Sequence, residues 1–369
     1  MCTSKTSLTN NFYAPMHFTQ EPVTRLMLLA FNKKNPDTIY DGFEPQVLLD
    51  RESGKEILVV LGYRRDKYVD VFHQAGYRPD IDKYKKVHKG AKGAYVREFE
   101  DGYFRKKEGG GVELFLAFKD SANRDISIRV SSMPKKSVKG GQMLAPVGSS
   151  AVDPNEMMMV FMDSFYFVSA SRGMISIVID GKDYRMKKRP ALALGGLLNS
   201  AKYCLNAMPL NMNPERNDEL PLLQIVDGKA VDKDSTYQLR IEEGKVLTES
   251  ISCQFPSQEM VCSFEPALPD IRCLEVGKQV EGAFTIDMGD QLGSVGGKYR
   301  YECMEDKQIK VQVNPTEGWK VGKNCNKTVF LLVSKFIKVF KAWPKSYQWD
   351  ATLTPHDGGF KIASKWRRL

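Results

Sequence analysis

Acid–base chemistry has few places to start in this chain of 369 residues, which holds only four histidines, His17, His73, His88 and His356. The stretch "DKYVDVFH", residues 66–73, brings Asp70 and His73 together in one short segment, beside Tyr68 and Phe72. A carboxylate near an imidazole is equipment for general acid–base catalysis. Side chains alternate along a strand, so residues three apart face opposite sides and only one of this pair can enter an interior. Tyr347 adds a phenol to the candidates. Asp70, Glu113, Asp287 and Glu302 fall in expected strands, where carboxylates about 5–10 Å apart would suit glycoside hydrolysis. The plainer reading makes such acids solvent-facing members of half-buried strands.

Other chemistries find less. No GxSxG elbow occurs, and "LGSVGG" at 292–297 lacks its spacing. The glycines at 109–111 open a strand rather than a helix, which does not make a phosphate cradle. Cys2, Cys204, Cys253, Cys262, Cys273, Cys303 and Cys325 are odd in number and contain no CxxC pair. Neither a zinc site nor a disulfide framework follows from that spacing, so no metal and no cofactor is expected. The opening "MCTSKTSLTNNFYAPMHF" has no apolar signal-peptide core, and no apolar run approaches a membrane span. The expectation is a cytoplasmic protein with reduced thiols.

The aromatic residues suggest binding. Trp319, Trp343, Trp349 and Trp366 all fall in the last fifth of the chain. Large rigid rings make good cavity walls, so Tyr166, Phe167, Trp319, Trp343 and Trp349 are the candidate ligand-binding set for an apolar small molecule. The competing reading is core packing. In "SKFIKVFKAWPKSY", residues 334–347, Lys335, Lys338, Lys341 and Lys345 recur at helical steps opposite Phe336, Val339, Phe340 and Trp343, and Pro344 ends the run. Such a helix caps a barrel or lies on an anionic membrane. Lys plus Arg exceed Asp plus Glu by 54 to 45, a net charge of +9. The basic residues are spread in short runs, so they read as a solvated surface, and nucleic acid is not an expected partner.

The elements that must position these groups are strands. "EILVVLGYRRDKYVDVF" (56–72) and "GGGVELFLAFKDSANRDISIRVSS" (109–132) each read as two alternating strands around a turn. "MISIVID" precedes Asp180-Gly181, a pair that tolerates positive φ, before "KDYRM" returns. "DPNEMMM" reads as loop or short helix, and "NAMPLNMNPERNDELP" (206–221) as a Pro- and Asn-rich connection. Short strands then recur to the end. The expected fold is all-β: two lipocalin-like barrel or sandwich lobes, 1–190 and 222–369, joined by a linker at 191–221, with a few short helices.

That layout resembles the two-lobed lipocalin-like β-barrel proteins, which include carotenoid 1,2-hydratases and fungal pericyclases. "APVGSS…DSFYFVSASRGMISIVIDGKDYRM" looks like the end of a first barrel, and "VEGAFTIDMGDQLGSVGGKYRYE" like a meander punctuated by Gly282, Gly293 and Gly297. The chain is also similar to bacterial proteins bearing an "LLAPVG" segment. Members commonly carry a "DHxWG"-like segment between the barrels; residues 187–196 here read "KKRPALALGG", with no Trp, His or acid. The expected function is binding of an apolar molecule inside a barrel, with Asp70, His73 and Tyr347 as the polar groups able to orient it or assist an isomerisation or hydration. The alternative is a non-catalytic protein docking on an anionic partner or membrane surface through its basic helix and C-terminal "SKWRRL".

Overall fold

The computed structural model describes residues 10–32, 34–99, 102–133, 140–145, 147, 154–168, 173–186, 201–324 and 343–369. It is all-β, and its one α-helix among the described residues is the four-residue Gly289–Leu292. Both expected hairpins form. Glu56–Arg64 pairs with Val69–His73, and Val112–Lys119 with Asp125–Ser132. Asp180 and Gly181 take positive φ at the turn between Gly173–Ile179 and Lys182–Tyr184.

Three sheets build the body. A nine-stranded sheet runs Gly141–Ala145, Met157–Phe167, Lys202–Met212, Val23–Ala30, Tyr40–Leu49, Glu56–Arg64, Val69–His73 and Ala91–Val96, with Phe18–Gln20 paired alongside Lys202–Met212. Its last two strands are parallel; the other pairs are antiparallel. The segment between those two strands folds back over the sheet, placing Tyr77, Tyr84 and Val87 on Val59, Leu61, Val69 and Val71. A five-stranded sheet runs Lys182–Tyr184, Gly173–Ile179, Asp125–Ser132, Val112–Lys119 and Tyr103–Lys106. Its Leu114, Leu116, Ile126, Ile128 and Val130 meet Leu29, Phe43, Val60 and Phe72 of the larger sheet in one core.

The ten-stranded third sheet runs from Arg216–Glu219 through the last strand, Gly359–Arg368, and back in sequence to Lys229–Asp232. Those two edge strands do not pair with each other, so the sheet is open, and no sheet closes into a barrel among the described residues. The barrel part of the expectation is corrected there. The sheet's inner face is covered by other elements: Met157, Met159, Phe161, Met208, Leu210 and Met212 join Tyr299, Trp349 and Trp366 in the largest core.

Two 11-residue strands, Met157–Phe167 and Lys202–Met212, therefore serve two cores. Their far halves reach Tyr166, Tyr203 and Leu205 in the first core, and their near halves enter the second. The run "EMMM" extends as strand from Met157 instead of forming loop or helix. Buried on both faces, it shows no alternation from which a strand could be read. Residues 202–212 of the 191–221 stretch likewise form a central strand. Pro209 fits because it stands at the end of the pairing with Phe18–Gln20, opposite Glu21, where its carbonyl accepts from the Glu21 N–H at 3.2 Å and no ladder bond requires its N–H. The chain's early residues also cross over. Asn11–Tyr13 pairs with Leu222–Gln224, and the Tyr237 hydroxyl donates to the Met16 carbonyl at 3.1 Å.

Candidate functional site

Alternation along Val69–His73 decides the first candidates. Val69 and Val71 face the outer cluster, while Asp70 and Phe72 face the interior between the two N-terminal sheets. The Asp70 carboxylate is fully buried and accepts three hydrogen bonds at Oδ2: from the Tyr40 hydroxyl at 2.8 Å, Arg64 at 2.9 Å and Ser121 Oγ at 2.9 Å. Its Oδ1 is buried with no partner among the described residues. Burial, with the Asp70 charge adding to it, raises the Tyr40 phenol well above its ordinary range, so Tyr40 stays a proton donor.

A second buried carboxylate pair flanks the first. Arg124 reaches Asp37 with two parallel bonds of 2.9 and 3.0 Å, and its Nε donates to Asp120 at 2.8 Å. Burial alone would raise the Asp37 carboxyl; the Arg124 bonds and the backbone N–H groups of Tyr40 and Ile39 outweigh it and hold it at about 2. The Arg124 guanidinium also lies 5.8 Å from the Tyr40 ring centroid. Asp37, Asp70 and Asp120 thus share one end of the first core with Arg64 and Arg124. Paired in this way, the acids tie the strand Val69–His73 and the turns at Asp37 and Asp120 together.

His73 does not join them. It lies on the opposite face, with Nδ1 donating to the Gln74 carbonyl at 3.0 Å and its ring edge-on to Tyr77 at 6.0 Å. Tyr166 and Phe167 are adjacent in a strand and so also part company. Tyr166 stacks on Tyr203 at 5.3 Å within the first core, whereas Phe167 meets Phe165 at 5.3 Å on the other face.

The indoles are placed in the second core. Trp319 Nε1 donates to the Leu292 carbonyl at 2.7 Å, and Trp349 sits opposite Trp366 in register, each 1% exposed. Trp366 Nε1 donates to the Met212 and Asn213 carbonyls at 3.1 and 2.9 Å, locking the last strand to the shared strand Lys202–Met212. One pair of candidates does meet. Trp343 and Tyr347 border a recess with Val147, Pro154, Glu156, Met157 and Met158, and its free volume is about 10 Å³. That is room for about one water. Burial raises the Tyr347 phenol there. Of the expected helix at 334–347, residues 334–342 lie outside the described residues, and Trp343 to Ser346 form a turn.

Several polar groups had no signal in the sequence. Arg124, Asp37 and Asp120 are distant in the chain or belong to a turn. Burial lowers the Lys202 ammonium to about 8, with the Glu44 charge opposing, and lowers the His17 imidazole to about 4. Among the described residues no three His, Cys, Asp or Glu side chains converge as a metal site, and Cys204, Cys253, Cys262 and Cys303 are free thiols. Compared with family models, with curated proteins and with solved structures, the chain finds no match.

Proposed function

We propose that this protein is a non-catalytic β scaffold that docks on a polyanionic partner through exposed basic side chains. The observation that carries this reading is the fate of the indoles. All four, Trp319, Trp343, Trp349 and Trp366, are structural members of a continuous core, and the space beside Trp343 is about 10 Å³. Small-molecule sites are commonly about 300–1,000 Å³, so a drug-sized ligand has no room there. The basic groups, by contrast, are free to meet a partner. Lys361, Lys365, Arg367 and Arg368 stand exposed on the last strand, and Lys345 is exposed beside it. Asp350, which accepts from Arg367 at 2.7 Å, offsets only part of that charge.

A salt titration on an immobilised sulfated polysaccharide tests this. We expect retention at ~0.05 M NaCl, release that shifts to lower salt in Lys365→Glu/Arg367→Glu, and unchanged thermal stability. Flow-through at that salt sinks the reading. The second reading keeps the lipocalin-like interpretation of the two β units and an apolar ligand at the Trp343–Tyr347–Glu156 recess. It is favoured by the meeting of two candidates with a buried carboxylate. Saturable fluorescence quenching by lipophilic compounds, weakened by Trp343→Ala, would support it instead.

A further inference from the structure

The outer face of the five-stranded sheet gathers aromatic and cationic groups from three separate places in the chain. Alternation sends Phe104, Leu114, Leu116, Ile128 and Val130 into the core and their neighbours outward. In register, Tyr103 lies opposite Phe115 and Phe115 opposite Arg129, while Arg105 lies opposite Glu113 in the adjoining row. The Arg105 guanidinium sits 4.2 Å from the Tyr103 ring centroid, the Arg129 guanidinium 4.5 Å from that of Phe115, and the two rings are 6.2 Å apart. Lys107 adds a third cation by donating to Ser131 Oγ at 3.0 Å. Arg105 and Arg129 are exposed, and neither has an ion-pair partner among the described residues. Glu113 is the one carboxylate in the two rows, which leaves the face net positive.

A solvated sheet face needs none of this. Cation–π contacts at exposed sites are weak, and rings on the water side of a sheet gain little by burial. The arrangement does match what single-stranded nucleic acid needs: flat π-faces for bases, guanidinium planes that extend those faces, and cations spaced for phosphates. A lipid surface asks for protruding apolar tips instead, and here the rings are recessed beneath the arginines.

We propose that this face binds single-stranded nucleic acid, its bases stacking on the Arg105–Tyr103 and Arg129–Phe115 platforms and its phosphates meeting Arg105, Arg129 and Lys107. The assignment rests on the polyanion reading above, adding to the basic last strand a second surface, on the five-stranded sheet, and a chemical class for its partner. No sequence-reading contact is implied, since stacking tolerates every base.

Fluorescence anisotropy of the full chain with a labelled 12-nucleotide oligothymidylate at ~0.05 M NaCl tests it. We expect saturable binding that weakens as salt rises. Phe115→Leu, which keeps the apolar bulk and removes the ring, and Arg129→Gln should each weaken binding roughly five-fold or more. Arg367→Ala should change it less than about two-fold, and thermal melts of all three should match the parent. If the sulfated polysaccharide is retained but the oligonucleotide does not bind, this proposal falls and the polyanion reading stands. If both fail, both fall. Oligonucleotide binding lost in Arg367→Ala yet intact in Phe115→Leu and Arg129→Gln overturns the face, and binding of anionic vesicles but not of the oligonucleotide through Phe115 and Arg129 overturns the partner class.

Discussion

At the scale of residues, the buried cluster of Arg124, Asp37 and Asp120 is structural in form. Arg124 is held by two carboxylates that are 0–1% exposed, so removing the guanidinium strands Asp37 and Asp120 away from water. Breaking a buried pair from one side commonly costs about 3–5 kcal/mol. Arg124→Met should therefore destabilise the protein by about 3 kcal/mol in denaturant melts. The same site gives an acid limb with a definite sign. Because the folded Asp37 carboxyl is held at about 2, against an ordinary 3.8, its stabilisation is complete above about 4 and is lost as pH falls toward 2. Asp37→Asn should flatten stability against pH in that window, measured by urea midpoints; an unchanged slope would remove Asp37 from the account. Asp70 was legible as a candidate and its face was predictable from alternation. Its partners Tyr40, Arg64 and Ser121 were not, because Tyr40 begins another strand and Ser121 belongs to another turn.

At the scale of elements, the hairpins follow from local chemistry, but strand contacts also impose demands that no local pattern expresses. Gly297 in Ser294–Cys303 lies where a methyl group would run into the Asn314 carbonyl oxygen of the next strand and the Phe284 ring of the previous one. The neighbours are backbone and a core ring, so neither gives way cheaply. Gly297→Ala should destabilise by about 1–3 kcal/mol, read as a lower melting temperature. Gly181, at positive φ in an open turn with no atom near its would-be Cβ, has a different reason for being glycine. There strain of the backbone, not crowding, sets the residue. A sequence displays both as a turn-like glycine, and only the neighbours tell them apart.

At the scale of the whole molecule, the two halves are not independent bodies. The second core draws Phe12, Phe18, Met157, Phe161, Met208 and Leu210 from outside residues 222–369. A fragment of residues 222–369 should thus expose that apolar surface, and we expect it to aggregate or to bind a hydrophobic dye without a cooperative melt. A monomeric fragment with a sharp transition would show instead that the ten-stranded sheet closes its own core. What the sequence determined alone was the class of structure, since period-two alternation and turn residues act over a few neighbours: Asp180-Gly181 and the runs at 56–72 and 109–132 needed nothing distant. It also determined that Asp70 and His73 would face apart. Tertiary structure decided the rest. Met157–Met159 and Pro209 became strand because burial on both faces, and for Pro209 a place at the end of a pairing, outweighed local preference. The indoles became core because shared strands filled the space a cavity would occupy. Tyr103, Phe115, Arg105 and Arg129 became one surface only when pairing set the register of three strands, and register is fixed by contacts between residues far apart in the chain.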